Sequence, residues 1–441
     1  MVNENPEFQA VILAGHGTHG KLYPLAEDEN LPKALLPVAG KPLLYYQLQW
    51  LEQAGVTDII ILVRGKGGDG QAKMKIQNYY EKVYKENHKL SERLRDPIVR
   101  PVQGDGTADA LRAVKDWVKT DFIVLTCDFV TDMPPQHFFD THRINKPTVT
   151  SLFYDFQKLA SGAEKVPKED REDVEYIGID PSADRLVLTK SRADIHEELP
   201  IRTSMMRRFP KTRIHTNLRS AHAYIFKKWV IDFLCKTKTP NINSIRLDLI
   251  PLLVECQYRQ AFVKREGLDK WKATDVDPLK EAKAKSSTGP VVGSPEDDEI
   301  VQCIAVIAKE EFCARAGSIW SYGEINRHLA RTGPESTRIA PSAEVSSRAT
   351  VGPDSMIGES TKMGERSSVK KSVIGSHCSI GKGVVISRSV VMDYVVLEDN
   401  VKLEGCVVCT QAKVEEKSFL RDSEVAGGVV VPRESELLVR R

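Results

Sequence analysis

Residues 339–386 read IAPSAEVSSRATVGPDSMIGESTKMGERSSVKKSVIGSHCSIGKGVVI. Ile339, Val345, Val351, Ile357, Met363 and Val369 fall on a period of six, and Gly352, Gly358 and Gly364 directly follow three of them. After a one-residue slip the beat resumes at Ile374, Ile380 and Ile386, with Gly375 and Gly381 behind the first two. A helix repeats at about 3.6 residues and a strand at about two, so neither explains this spacing. An aliphatic residue followed by glycine or a small polar residue every six positions is the pattern of a parallel β-helix. Three units close a triangular coil, the aliphatics point inward, and coils stack at strand spacing. The glycines are expected to let the backbone turn each corner. Residues 339–432 then supply about five coils of about 18 residues, although the spacing becomes irregular beyond Val391.

Upstream, short apolar runs at 9–13, 58–63, 98–102, 122–126 and 148–153 alternate with amphipathic stretches at 42–54 and 108–119. That alternation argues for crossover units, an α/β domain and a mostly parallel sheet over residues 7–263. Residues 264–300 are dense in charge and poor in large apolar side chains, so a flexible linker or loop is expected there. Residues 301–338 are expected to connect the two domains.

The 441 residues suit two or three domains, since one averages about 150. Lys and Arg number 63 against 61 Asp and Glu, a net charge of +2, which excludes a whole-chain nucleic-acid binder. Direct nucleic-acid binding is not expected. No run approaches the roughly 20 apolar residues of a membrane span, and residues 1–7 lack the pattern of a secretory signal. A cytosolic protein without membrane partners is therefore expected. The eight cysteines read as reduced and mostly buried. Cys406 and Cys409 have knuckle spacing, yet no second pair or nearby His completes a metal site.

After the first strand comes Leu13-Ala14-Gly15-His16-Gly17-Thr18-His19-Gly20-Lys21-Leu22-Tyr23-Pro24-Leu25, a glycine-rich turn suited to cradling phosphates. Leu31-Pro32-Lys33-Ala34-Leu35-Leu36-Pro37-Val38 and Lys41-Pro42 follow. At these residues the chain resembles the sugar-nucleotide transferase family. The resemblance implies a triphosphate on the loop, Lys33 as the charge-stabilising lysine, Gly106-Thr107-Ala108 as the base-reading turn, and Asp128 as a magnesium-binding acid. Three departures count against working chemistry. His19-Gly20 replace the family arginine, and Lys21 near that place lacks a planar fork. Cys127 stands where the family has Gly before the metal-binding Asp, and no second metal carboxylate is evident. The pocket residues Gly15, Gly17, Thr18, Lys21, Lys33, Gly106, Thr107 and Asp128 are therefore expected to be vestigial, with no catalytic residue, metal or cofactor. His16 and His19 lack a third ligand, and solvent-facing loop histidines are the plainer reading.

Val124-Leu125-Thr126-Cys127-Asp128, Ser220-Ala221-His222-Ala223-Tyr224, Ser244-Ile245-Arg246 with Leu249-Ile250-Pro251, and Ser372-Val373-Ile374-Gly375-Ser376 resemble the gamma-subunit family of eukaryotic translation initiation factor 2B over nearly the whole chain. The resemblance implies a Rossmann-like nucleotidyltransferase-type domain followed by a left-handed parallel β-helix. It also implies a non-catalytic partner of the epsilon subunit, and of the other subunits of initiation factor 2B, in a guanine-nucleotide exchange complex. Initiation factor 2 would be the substrate that releases GDP. The chain stops at Arg441, soon after the repeats, without the helical-repeat domain that the resemblance assigns to epsilon.

Arg202, Arg207, Arg208, Lys211 and Arg213 surround Phe209-Pro210. They read as a partner-binding surface for an acidic protein or RNA, or simply as a solvated face. Two enzyme readings compete with the scaffold. One is an active sugar-phosphate nucleotidyltransferase; the other is an acyltransferase on the hexad repeat, for which His377 is the sole histidine of that region.

Overall fold

The computed structural model describes residues 7–15, 20–26, 31–65, 70–85, 95–104, 106–160, 166–195, 198–236, 242–265, 267–268, 301–334 and 338–438. Most of the expected 264–300 linker, from residue 269 onward, lies outside them.

Ten strands form one sheet: β1 (Phe8–Ala14), β2 (Asp58–Arg64), β3 (Ile98–Val102), β4 (Asp121–Thr126), β5 (Val149–Asp155), β6 (Glu175–Asp180), β7 (Arg185–Ser191), β8 (Arg213–His215), β9 (Leu218–Phe226) and β10 (Cys303–Ala308). Their order is β8-β6-β7-β10-β5-β9-β4-β1-β2-β3. The expected parallel pairing holds from β4 through β3. Beyond β4 the sheet is mixed, because β9 runs antiparallel to both its neighbours and β6, β7 and β8 form an antiparallel end.

Both faces of the central strands are covered, which is why β1 reads as a continuous apolar run. Ala10 and Ile12 join one core and Val11 and Leu13 the other. Helices α1 (Leu43–Gln53), α3 (Pro135–Asn145) and α5 (Ile319–Thr332) contribute to the first core; α2 (Thr107–Arg112) and α4 (Ile250–Cys256) contribute to the second.

The 301–338 segment does more than connect. Its strand β10 inserts between β5 and β7, in parallel register with β5 from Cys303↔Val149 to Ala308↔Tyr154. Its short strand Cys313–Arg315 pairs with Phe129–Thr131. Helix α5 begins at a capping box made by Ser318 and Ser321 and packs beside the repeat domain, where Arg327 Nη1 donates to the Arg388 carbonyl at 2.8 Å. Val390, Met392, Val407 and Cys409 from the repeats complete the first core.

The hexads form three parallel ladders. Met363 pairs with Ile380, Ile380 with Leu397 and Leu397 with Val414, so each coil advances 17 residues (380 − 363). From the first coil to the second the step is 18 (363 − 345), at Ile339↔Ile357, Val345↔Met363 and Val351↔Val369. The irregular spacing is itself periodic: buried residues run Val369, Ile374, Ile380, Ile386, Val391, Leu397, Leu403, Val408, Val414, Leu420 and Val425. One side per coil is a residue shorter. Buried serines ladder through that short corner, where Ser372 Oγ accepts from Ser389 N and Ser389 Oγ from Cys406 N, each at 3.1 Å.

The glycines that directly follow the aliphatics do not turn the corners as expected; among glycines of the repeats, left-handed backbone is found at Gly383, Gly405 and Gly428. Left-handed backbone falls on other residues, including Arg366 (φ 58°), Lys371 (50°), His377 (57°) and Arg388 (51°). Gly358 and Gly381 are instead required by close stacking: a Cβ at Gly358 would lie 2.5 Å from the Gly375 carbonyl carbon, and one at Gly381 2.5 Å from Asp399 Oδ1. His377 is one such corner residue, stacked on Tyr394 of the next coil with ring centroids 4.9 Å apart. Cys406 lies inside the coil whereas Cys409 faces the first domain, so the pair does not converge on a ligand.

This assignment predicts that Gly358→Val lowers stability by about 1–3 kcal/mol through overpacking. Lys371→Gly should stay within about 0.5 kcal/mol, because relief of left-handed strain offsets the added unfolded-chain entropy. Urea titration of both variants checks the contrast.

Candidate functional site

Open α/β sheets gather ligands beyond the carboxyl ends of their parallel strands. Here β1 ends into Gly15, whose φ of +102° suits glycine, while β4 ends into Asp128. His16, Gly17, Thr18 and His19 lie outside the described residues. Lys21 follows in a short turn, is exposed, and donates to Asp173 Oδ2 at 3.1 Å. Lys33, in another short turn, reaches Asp128 Oδ2 at 2.9 Å. The turn carrying Asp128 is pinned from behind by the buried Gln47 of α1, whose Nε2 donates to the carbonyls of Thr126 and Phe129.

Asp128 has no exposed surface. Burying a carboxylate is costly unless it is paired and hydrogen-bonded. Thr126 Oγ1 donates to Oδ1 at 2.6 Å, and Arg315 brings Nε to Oδ1 at 3.3 Å and Nη2 to Oδ2 at 2.7 Å. Arg315 arrives because its strand sets it opposite Phe129, with Ala316 N donating to the Asp128 carbonyl. Its Nη1 lies 2.9 Å from His222 Nε2. Arginine is only a donor, so this contact needs a neutral imidazole with its Nε2 lone pair facing the guanidinium. His222 holds φ 53° at an irregularity of β9, which turns its ring toward the pocket.

The electrostatics agree with the geometry. Burial would raise the Asp128 pKa, but the charges of Arg315 and then Lys33 outweigh it and hold the group well below the ordinary carboxylate range. Burial followed by the Arg315 charge holds His222 well below the usual histidine value. Burial lowers and Asp128 raises Arg315, with a net upward shift.

The surrounding cavity measures about 370 Å³. Other cations at its wall are also paired: Arg246 with Glu175 at 3.2 Å, and Arg219 with Asp173 at 3.8 Å. Gly106 and Thr107 open α2, but their turn is stitched to the chain itself. Ala108 N donates to the Asn243 carbonyl and Ile245 N to Thr107 Oγ1, both at 2.9 Å. A Cβ on Gly106 would collide with the Asn243 carbonyl.

The residues present do not fit the magnesium implied by the sugar-nucleotide transferase resemblance. Both Asp128 oxygens are occupied by protein donors, and no group of three or more His, Cys, Asp or Glu among the described residues is arranged to hold a metal ion. The structure thus brings Lys33 and Asp128 together, turns Lys21 toward Asp173, and leaves Gly106 and Thr107 against the 243–245 segment. Sequence reasoning missed Arg315, which lies 187 positions from Asp128 in a segment read as a connector. The one available signal was an arginine flanked by small residues, Ala314-Arg315-Ala316-Gly317, just after an apolar strand pattern.

Arg315→Met should cost about 3–5 kcal/mol by leaving Asp128 buried and unpaired, and Arg315→Met with Asp128→Leu should recover most of it. Urea unfolding of the single and double variants measures this. His222 is depressed in the fold, so its contribution is complete above the unfolded value of 6.5 and is lost as pH falls toward the folded value. Asp128 adds a second loss as pH drops below the ordinary value of 3.8. His222→Gln should flatten the fall in stability between about pH 6.5 and 5, and leave the acid limb in place.

Two family models match: "Nucleotidyl transferase" over residues 9–281 and "EIF2B subunit epsilon LbH domain" over residues 338–437. The chain is 38% identical over 426 residues to translation initiation factor eIF2B subunit gamma of Schizosaccharomyces pombe, covering 95% of this chain and 86% of that protein. It is 30% identical over 352 residues to the subunit of the same name from Dictyostelium discoideum, covering 74% and 75%. A mannose-1-phosphate guanyltransferase of Saccharomyces cerevisiae shares 29% identity over 136 residues, 30% of this chain and 34% of that enzyme. With the repeat domain, the nucleotidyltransferase-type sheet and near full-length similarity in agreement, the chain belongs to the family of eIF2B gamma subunits, translation initiation factor 2B proteins.

Proposed function

We propose that this chain is a non-catalytic subunit of a cytosolic guanine-nucleotide exchange complex. It partners an epsilon subunit and the other subunits of initiation factor 2B, and helps hold initiation factor 2 while GDP leaves. The observation that carries the non-catalytic part is the saturation of Asp128 by Arg315, Lys33 and Thr126. A carboxylate committed to a guanidinium and an ammonium cannot also present those oxygens to a divalent ion without breaking a buried ion pair. The stitched turn at Gly106–Ala108 supports the same reading, because the Ala108 N–H and the Thr107 hydroxyl oxygen are engaged by the 243–245 segment. The names of the relatives support membership of the assembly. Among the described residues no helix is long and apolar enough to cross a membrane, in keeping with a cytosolic role.

Two measurements test this. With magnesium, nucleoside triphosphates and common sugar phosphates, the chain should release pyrophosphate no faster than background; turnover abolished by both Lys33→Ala and Asp128→Ala would establish the transferase instead. Added alone to GDP-loaded initiation factor 2, it should barely speed nucleotide release, and adding the epsilon subunit should produce exchange. Robust exchange by the isolated chain would refute the assignment.

A further inference from the structure

The sheet ends differently at its two edges. At β3, Pro101 removes a backbone donor and Arg100 folds over the Trp117 ring at 3.9 Å, devices that blunt an edge. At the opposite end β8 hydrogen-bonds to β6 on one side, and no described strand pairs with its other side. This free edge follows the run Ile201 to Arg213, which has five Lys or Arg residues and no Asp or Glu, although the whole chain carries only +2.

Elsewhere surface cations commonly find carboxylates, as in Arg143 with Glu7, Lys85 with Asp96 and Lys362 with Glu344. Four cations of the run before and in β8 differ. Arg202, Arg207, Lys211 and Arg213 are exposed, with no carboxylate among the described residues within ion-pairing distance. Met205 and Phe209 anchor the run in a small core with Val187 and Leu188, which fixes the cations on a folded surface. Exposed aliphatic side chains, Ile201, Met206 and Ile214, lie among the charges.

We propose that β8 and the cationic run before it form a docking surface for an acidic, extended segment of a partner protein, which adds as a strand to the free edge. Backbone groups of an edge supply affinity in this mode, and alternating side chains supply selectivity. Arg213 and His215 project to one side of the strand and Ile214 to the other, so a segment alternating carboxylates with aliphatics matches both faces. Protein is favoured over RNA by the kind of apolar surface on offer. Single-stranded RNA is held by stacking successive bases on exposed rings, whereas Phe209 is buried and the half-buried His215 imidazole is the other ring of the surface.

The test uses the full chain and a fluorescein-labelled peptide of five Glu-Val repeats, with a Gln-Val peptide and a ten-residue uridine RNA as the other arms. The acidic peptide should bind tightest and weaken as salt rises. Arg207→Glu/Lys211→Glu/Arg213→Glu should weaken it at least about tenfold, whereas Lys402→Glu on the repeat domain should not change it. If melting shows the triple variant to be unfolded, Arg207→Glu alone, on an exposed position, should still weaken binding about threefold. Equal binding of the Gln-Val peptide, tighter binding of the RNA, or insensitivity to the reversals would overturn the proposal. Each readout is independent of transferase and exchange activity, so its failure leaves the proposed function standing.

Discussion

A carboxylate with no exposed surface needs compensating charge, and in this protein that need is met across 187 positions of sequence by the Asp128–Arg315 pair. The pair is made possible by a two-strand ladder of three residues on each side, and that ladder holds residues 301–334 against the first domain. Helix α5 starts four residues after Arg315 and is bound to the same wall by Ser318 Oγ, which donates to Asp170 at 2.8 Å. Through α5 the site and the repeat domain share one core. The ion pair in the pocket therefore also helps to fix how the two domains meet.

The pocket lies at the carboxyl ends of a nucleotidyltransferase-type sheet, and its charges are met from within the protein. A glycine at the end of β1, a lysine and a buried acid stand at the strand ends, beside residues that close the core. These charges and their neighbours are partnered within the wall. Lys21 meets Asp173, Lys33 and Arg315 meet Asp128, and Arg246 meets Glu175. Opposite charges settled within the wall leave less field for a triphosphate than the count of cations suggests.

The repeat domain follows a similar logic of stacking before local preference. Non-glycine corners in left-handed backbone carry strain, and they are held by hydrogen bonds to the coil before, such as His377 N to the Glu359 carbonyl and Tyr394 N to the Ser376 carbonyl. The glycines that follow the aliphatics, such as Gly358, Gly364, Gly375 and Gly381, stand where the next coil approaches too closely for a Cβ, whereas Gly383, Gly405 and Gly428 take left-handed corners. The short side of each coil turns its outer valines, Val390 and Val407, toward the first domain, so the face that looks most apolar from outside is an internal one.

The periodicity of aliphatics by itself determined the β-helix, since only an inward residue on every flat side repeats near six, and the apolar runs determined a sheet covered on both faces. Lys33 and Asp128 were legible because a local motif names them. Sequence alone did not determine the mixed half of the sheet, the 17-residue coil, the role of the glycines, or the partners of Asp128. Those depend on which distant segments come to lie side by side: β10 entering between β5 and β7, and Arg315 arriving opposite Phe129. Local pattern encodes which residues must be buried, whereas the tertiary structure decides which charge meets which, because pairing requires proximity that no spacing along the chain records.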